Sequence, residues 1–284
     1  MKFERIEHPL GSQRVDGRGA LAVAVSAGRS RVADLYQRGA AKIRLPVAPE
    51  GPLEAVLINT AGGMTGGDRL EWAIDVGEGA SAVVTTQACE KAYRSTTGTA
   101  RIRTVATVAA GGRLAWLPQE TILYDNSDLA RTLDVDLAVD ASALVVESVI
   151  FGRRAMGETL RSASFRDRWR IRSGGRLIHA EALAFRGDVA GQLDHAAVAS
   201  GARAIASVLL VAKDVEAHLE AVRAIVDEEG GASYWDLGSE RGGAPHGKLL
   251  ARLVAKDGYD LRRRLVPLLA LLNEGAALPR VWST

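Results

Sequence analysis

Apolar and polar residues alternate with a period of two through much of this chain. The cleanest cases are 70–76, with Leu70, Trp72, Ile74 and Val76 on one side, and 133–139, where Asp134 and Asp136 interleave with Leu133, Val135 and Leu137. Trp169 and Ile171 alternate with Arg168, Arg170 and Arg172 in the same way. Such a pattern buries one face of a strand and wets the other. Apolar runs at 55–58 and 143–151, the second interrupted by Glu147 and Ser148, read as buried strands. Further strands are predicted at 20–25, 81–87, 100–108 and 114–117, and Lys42 and Arg44 lie opposite Ile43 and Leu45. Gly174-Gly175 turns the chain into a hairpin partner at 176–183. Strands this close together leave little room for βαβ crossovers. The prediction is a mainly β fold of closely spaced antiparallel or solenoid-like strands.

A helical period enters only near the end. Val215, Leu219, Val222 and Val226 recur at intervals of four, three and four, with Asp214 as the expected N-cap and Gly230-Gly231 as the expected stop. Leu261, Leu265, Leu268 and Leu272 mark a second stripe, which Pro267 should kink or split. About two helices are thus expected in the C-terminal third, followed by an extended tail at 278–282. No linker or long-period repeat divides the sequence, so one domain over 1–284 is expected.

Composition narrows the classes. With 47% hydrophobic and 25% charged residues the chain can bury a real core, but aromatics at 5% leave Val, Leu, Ile and Ala to fill it. A net charge of +2 argues against a nucleic-acid partner, and Arg262-Arg263-Arg264 and 166–172 read as solvated faces. One cysteine, Cys89, allows no internal disulfide, and the start Met1-Lys2-Phe3-Glu4-Arg5 lacks the apolar core of a signal peptide. No apolar run nears the roughly 20 residues of a membrane span. A cytoplasmic protein with no membrane association is expected.

Candidate chemistry is sparse. The stretch 59–70 packs Gly62, Gly63, Gly66 and Gly67 between two strands and closes on Asp68. It reads as a tight turn, or as a loop whose bare amides face a ligand or partner. Gly77-Glu78-Gly79 precedes β-branched residues rather than a helix, so it makes no dinucleotide loop. The frame 242–249 resembles a phosphate loop, but Leu249 stands where Ser or Thr would hold magnesium, and Pro245 removes an amide. There is no Gly-x-Ser-x-Gly elbow and no His-Glu-x-x-His. The five histidines are scattered, although His179 and Glu181 share one strand face. An enzyme is not expected.

Several blocks nevertheless form a set. The segments 56–68, 85–95 (Thr-Thr-Gln-Ala-Cys-Glu-Lys-Ala-Tyr-Arg-Ser), 117–124, 151–158, 167–171 and the ending Leu278-Pro279-Arg280-Val281-Trp282 resemble, in order and spacing, the urease accessory protein UreD (UreH) family. The resemblance implies a mainly β, non-enzymatic scaffold in urease maturation. Its implied partners are the accessory proteins UreF and UreG and the urease apoprotein. It implies no tightly bound cofactor, only nickel in transit through an internal, water-filled tunnel.

Acidic residues in or beside these blocks are the expected nickel waypoints: Asp68, Glu90, Glu120, Glu147 and Glu181, with His179 beside the last. Nickel(II) in transit suits carboxylate, water or imidazole held loosely, and a thiolate or histidine cage would trap it. Glu147 interrupts the apolar run 144–150, and a carboxylate inside a buried strand needs water or a cation against its desolvation. Two other roles fit the same residues: a plain structural bridge between urease and the accessory proteins, and a small-ligand binder using the glycine loop as an anion nest.

Overall fold

The computed structural model describes residues 14–47, 51–153, 156–238 and 246–283. In chain order the strands begin β1 (Asp16–Ser26), β2 (Arg29–Arg38), β3 (Ala41–Arg44), β4 (Leu53–Asn59), β5 (Arg69–Val76) and β6 (Ser81–Thr86). They continue with β7 (Glu90–Ala92), β8 (Ala100–Val108), β9 (Arg113–Leu117), β10 (Thr121–Leu123), β11 (Asp128–Leu137) and β12 (Ser142–Phe151). Next come β13 (Ala163–Ser173), β14 (Arg176–Gly187), α1 (Val189–Asp194) and β15 (Ala204–Lys213). The chain ends with α2 (Leu219–Val226), β16 (Gly230–Asp236), β17 (His246–Ala255) and α3 (Gly258–Leu272).

Two sheets face each other. The first, sheet A, runs β14-β13-β11-β8-β5-β1-β2; the second, sheet B, runs β16-β17-β15-β12-β9-β6-β4-β3, with β10 and β7 added beside β12. From β4 onward the chain mostly crosses from one sheet to the other at each step. The strands stacked within a sheet, β5, β8, β11 and β13 on one side and β4, β6, β9 and β12 on the other, are therefore parallel. This is the solenoid-like arrangement expected from the spacing. Antiparallel pairs close its ends, β1 with β2, β13 with β14, and β15 with β12 and β17.

Alternation places the core. Leu70, Trp72, Ile74, Phe165, Trp169 and Ile171 point inward from sheet A to meet Leu57, Val84, Trp116, Val145 and Val149 from sheet B. The other face of sheet B packs under the late helices, where Val146, Val208 and Leu210 meet Leu261, Leu265, Leu268 and Leu272. Strand β12 is thus buried on both faces, which accounts for the apolar residues at both its even and its odd positions.

The C-terminal third departs from expectation in detail. Asp214 has φ 54° and caps nothing with its side chain; a 3-10 turn at Val215–His218 precedes α2. The helix stops at Asp227 (φ 57°), and Gly230 and Gly231 open strand β16 instead. Pro267 neither splits nor ends α3. It lies on the exposed side, where the carbonyl it deprives of a partner can take water. The tail forms a 3-10 turn at Arg280–Trp282 rather than an extended segment, because Trp282 is buried and donates from Nε1 to the Leu117 carbonyl at 3.1 Å. Gly77 and Gly79 form the β5–β6 turn, and β6 follows directly. The first half of the 242–249 frame, 242–245, lies outside the described residues, as do His8, Arg154 and Ala155; 246–249 belong to β17. Among the described residues no helix is long and apolar enough to cross a membrane.

Candidate functional site

The glycine stretch links β4 to β5, and its tightness has a packing cause. A β-carbon at Gly66 would collide with Ser95 Oγ and the Thr97 carbonyl. Asp68, 2% exposed, accepts from the Val15 amide through Oδ1 at 2.9 Å and from the Thr65 amide through Oδ2 at 2.7 Å. It ties the start of β1 to the loop. Beside the loop lies a cavity of about 190 Å³ lined by Leu57, Asn59, Trp72, Cys89 and Glu90 among others. Asn59 donates to both Glu90 oxygens at 3.2 Å. Burial outweighs those hydrogen bonds and pushes the Glu90 carboxyl up to about 7.

Glu90 opens a polar seam that crosses the core. It pairs in register with Thr121, so both side chains leave the same face of sheet B. Thr121 Oγ1 accepts from Arg131 at 3.0 Å. Arg131 stands on β11 in the inward register of Leu129, Leu133 and Val135, and its guanidinium is ion-paired to Glu147 of β12 and, at 2.6 Å, to Asp167 of β13. All three side chains are at most 7% exposed. Trp116 Nε1 donates to Glu147 at 2.9 Å, and Trp169 Nε1 to Asp167 at 3.3 Å. Two carboxylates therefore share one arginine in the centre of the sandwich. Burial, working against the pull of Arg131, raises the Glu147 carboxyl to about 7, and the negative Asp167 adds to the rise. Asp167 Oδ1 is buried with no hydrogen-bond partner.

The seam then continues toward solvent. Ser207 is the cross-strand partner of Glu147, so the two side chains stand roughly 5 Å apart on the inner face. Ser207 donates to Glu181 Oε1 at 2.7 Å. His179 Nε2 lies 3.5 Å from Glu181 Oε2, and Arg252, half exposed, approaches the same oxygen at 3.3 Å. Burial would raise the Glu181 carboxyl, but His179, Ser207 and Arg252 together hold it below the usual range. The shared face predicted for His179 and Glu181 is thus real, and both face the interior.

Glu120 lies apart from the seam, under α3. Arg262 reaches its Oε1 at 2.7 Å, also donates to Gln119, and stacks its guanidinium 5.2 Å from the Trp282 ring centre. The Cys89 thiol donates to Glu120 Oε2 at 3.3 Å. Burial and the neighbouring carboxylate push that thiol up to about 12, which leaves it inert as a nucleophile.

Of the six residues singled out from sequence, Glu90, Glu147, His179 and Glu181 fall on one seam, while Asp68 locks a loop and Glu120 anchors the C-terminal helix. Sequence reading missed Arg131 and Asp167. A period-two signal was available for both, since each is a charged residue in the inward register of an otherwise apolar strand face. Among the described residues no three His, Cys, Asp or Glu side chains converge as metal ligands. What the geometry offers is a line of single carboxylates bridged by hydroxyls and arginines.

The family described as UreD urease accessory protein matches residues 15–283. A protein named Urease accessory protein UreD 1 from Brucella melitensis biotype 1 is 57% identical over 274 residues, 96% of each chain. Urease accessory protein UreD from Mesorhizobium japonicum is 53% identical over 283 residues, covering 100% of this chain and 99% of its own. The chain belongs to the UreD urease accessory protein family.

Proposed function

We propose that this chain is a non-catalytic scaffold of urease maturation that joins UreF and UreG to the urease apoprotein and passes nickel(II) along its interior. The observation that supports the passage is the seam from Glu90 through Thr121, Arg131, Glu147 and Asp167 to Ser207, Glu181 and Arg252. Its carboxylates are held by an arginine and by hydroxyls, not by a cage of ligands. A divalent ion displacing Arg131 from Glu147 and Asp167 would meet oxygen donors suited to nickel, with too few of them in one place to retain it. UreG would supply the nucleotide chemistry, so this chain needs no phosphate loop.

A second reading, the plain bridge, is favoured by the tight closure of the Arg131 triad. Substituting Glu147→Gln and Glu181→Gln together separates the two. In reconstitution with apo-urease, UreF, UreG, GTP and nickel, the complex should assemble while nickel per active site falls by about tenfold or more. Full nickel loading by the assembled double variant would reject passage and leave the bridge.

A further inference from the structure

Sheet A has one inward face, and among the described residues no helix packs on the other, since α1 joins the inner core through Val189 and Leu193 and α2 and α3 lie in the core on the far side of sheet B. On this bare face the strand register sets arginines in rows. One row runs Arg168, Thr132, Arg103, Glu71, Arg18 and Arg38 across β13, β11, β8, β5, β1 and β2. The next runs Arg166, Ala130, Arg101, Arg69 and Asp16. With Asp128, which lies 3.9 Å from Arg166, the two rows hold seven arginines against three carboxylates. That excess is larger than the net charge of +2 carried by the whole chain.

Two features set this face apart from ordinary solvated sheet. Arg69 and Arg101 are direct cross-strand partners about 4.8 Å apart by strand spacing, an arrangement of like charges that costs stability. Arg69, Arg101, Arg103 and Arg168 are exposed and make no ion pair among the described residues. Beside the arginines the floor is shallow. Ala20, Ala73 and Val105 hold the middle of the next row, between Tyr36 on β2 and Asp134 and Arg170 on β11 and β13, and Ala180, Ala182 and Ala184 flank the other side on β14, although alanine is a poor strand former. A wide, flat, small-residue surface studded with planar guanidinium groups can be approached closely, and arginine pairs with carboxylates through two parallel hydrogen bonds.

We propose that the outer face of sheet A docks an acidic protein surface, with the arginine rows meeting a partner's Asp and Glu side chains. This rests on the assembly reading above, and the partner is one component of that assembly. The two rows contain no aromatic residue and the adjoining row holds Tyr36 alone, at the edge strand, too little for a run of stacked bases, which favours protein over nucleic acid.

The test uses the full chain carrying Arg101→Glu, Arg103→Glu and Arg168→Glu, a matched triple Lys variant, and the unmodified chain. Association with purified apo-urease and, separately, with purified UreF is followed at low and high salt. For one of the two partners the unmodified chain should associate more slowly as salt rises, and the Glu variant should lose about tenfold or more in rate, while the Lys variant keeps most of it. The Glu variant's thermal midpoint should change little, because relief of the Arg69–Arg101 repulsion offsets the like charges that Arg103→Glu sets opposite Glu71. Unchanged association of the Glu variant with both partners, indifference to salt, or tighter binding of a DNA duplex than of either protein would overturn the proposal. An unmodified chain that binds neither partner would refute the assembly reading itself. Nickel passage is read separately, on Glu147→Gln and Glu181→Gln complexes that have already assembled.

Discussion

Replacing Arg131 with Met would remove the one cation that the Glu147 and Asp167 carboxylates share. Methionine fills much of the space of the arginine stem, so the packing loss is small and the electrostatic loss dominates. Arg131 is fully buried, with both carboxylates ion-paired to it and each also bonded to a tryptophan Nε1. Breaking a buried pair by deleting one partner typically costs about 3–5 kcal/mol, because the remaining charge stays buried and uncompensated. For a chain of this size that corresponds to a thermal midpoint lower by roughly 6–20 °C. The sign of the pH dependence is fixed. Glu147 already ionises only near 7 with Arg131 present, and without the cation it takes up a proton more readily still. The penalty should therefore be largest near about pH 8 and shrink toward about pH 5. Trp116 and Trp169 touch the triad and report its unfolding by fluorescence. Adding Glu147→Gln and Asp167→Asn to Arg131→Met should restore most of the loss, since no buried charge then remains. An Arg131→Met chain within about 1 kcal/mol of the parent at high pH, or a triple variant no more stable than the single, would refute this account of the triad.

Glu147→Gln alone should flatten the pH profile of stability. The carboxyl rises from 4.5 to about 7 on folding, so its contribution is full below 4.5 and is lost as pH climbs through about 7. The drop is about 3 kcal/mol, and urea unfolding across that window should show it in the parent and not in the variant, apart from the slope that Glu90 retains. Cys89 should resist a disulfide reagent such as DTNB in the folded chain and react at once in denaturant, since burial and Glu120 push its thiol up to about 12. Rapid labelling under native conditions would contradict the burial described here.

How much of this could be read in advance depended on how local each cause is. The strands were legible because alternation is written residue by residue, and Leu70 to Val76 fold as their pattern says. The sheet partners were not, since crossing between two sheets at each turn is a long-range choice that a two-residue period leaves open. Helix ends were missed for a similar reason: Gly230 carries a helix-stop signal, but β17 offers it a ladder position that outweighs the local preference. At the site, Glu147 stood out because a charge inside an otherwise apolar run violates the pattern around it. Arg131 did not, because the alternation is plain only from Leu133, two residues too late for the arginine to register as inward-facing, whereas β11 begins at Asp128. Asp167 was lost among flanking arginines that point the opposite way.

The buried charges also say something about why the fold is built this way. A two-sheet sandwich gains nothing in stability from an arginine and two acids at its centre; an apolar set of similar volume would serve as well or better. Trp116 and Trp169 each give a hydrogen bond to those acids from an otherwise apolar body, and Thr121 and Ser207 extend the polar line on either side. Groups that cost free energy in a fold, and that join into one path across it rather than scattering, are what the proposed passage would require. The same logic applies outside, where Arg69 faces Arg101 across two neighbouring strands. Both features spend stability at places where structure alone asks for none, and each is open to test by a variant that should fold as well as its parent while losing one function.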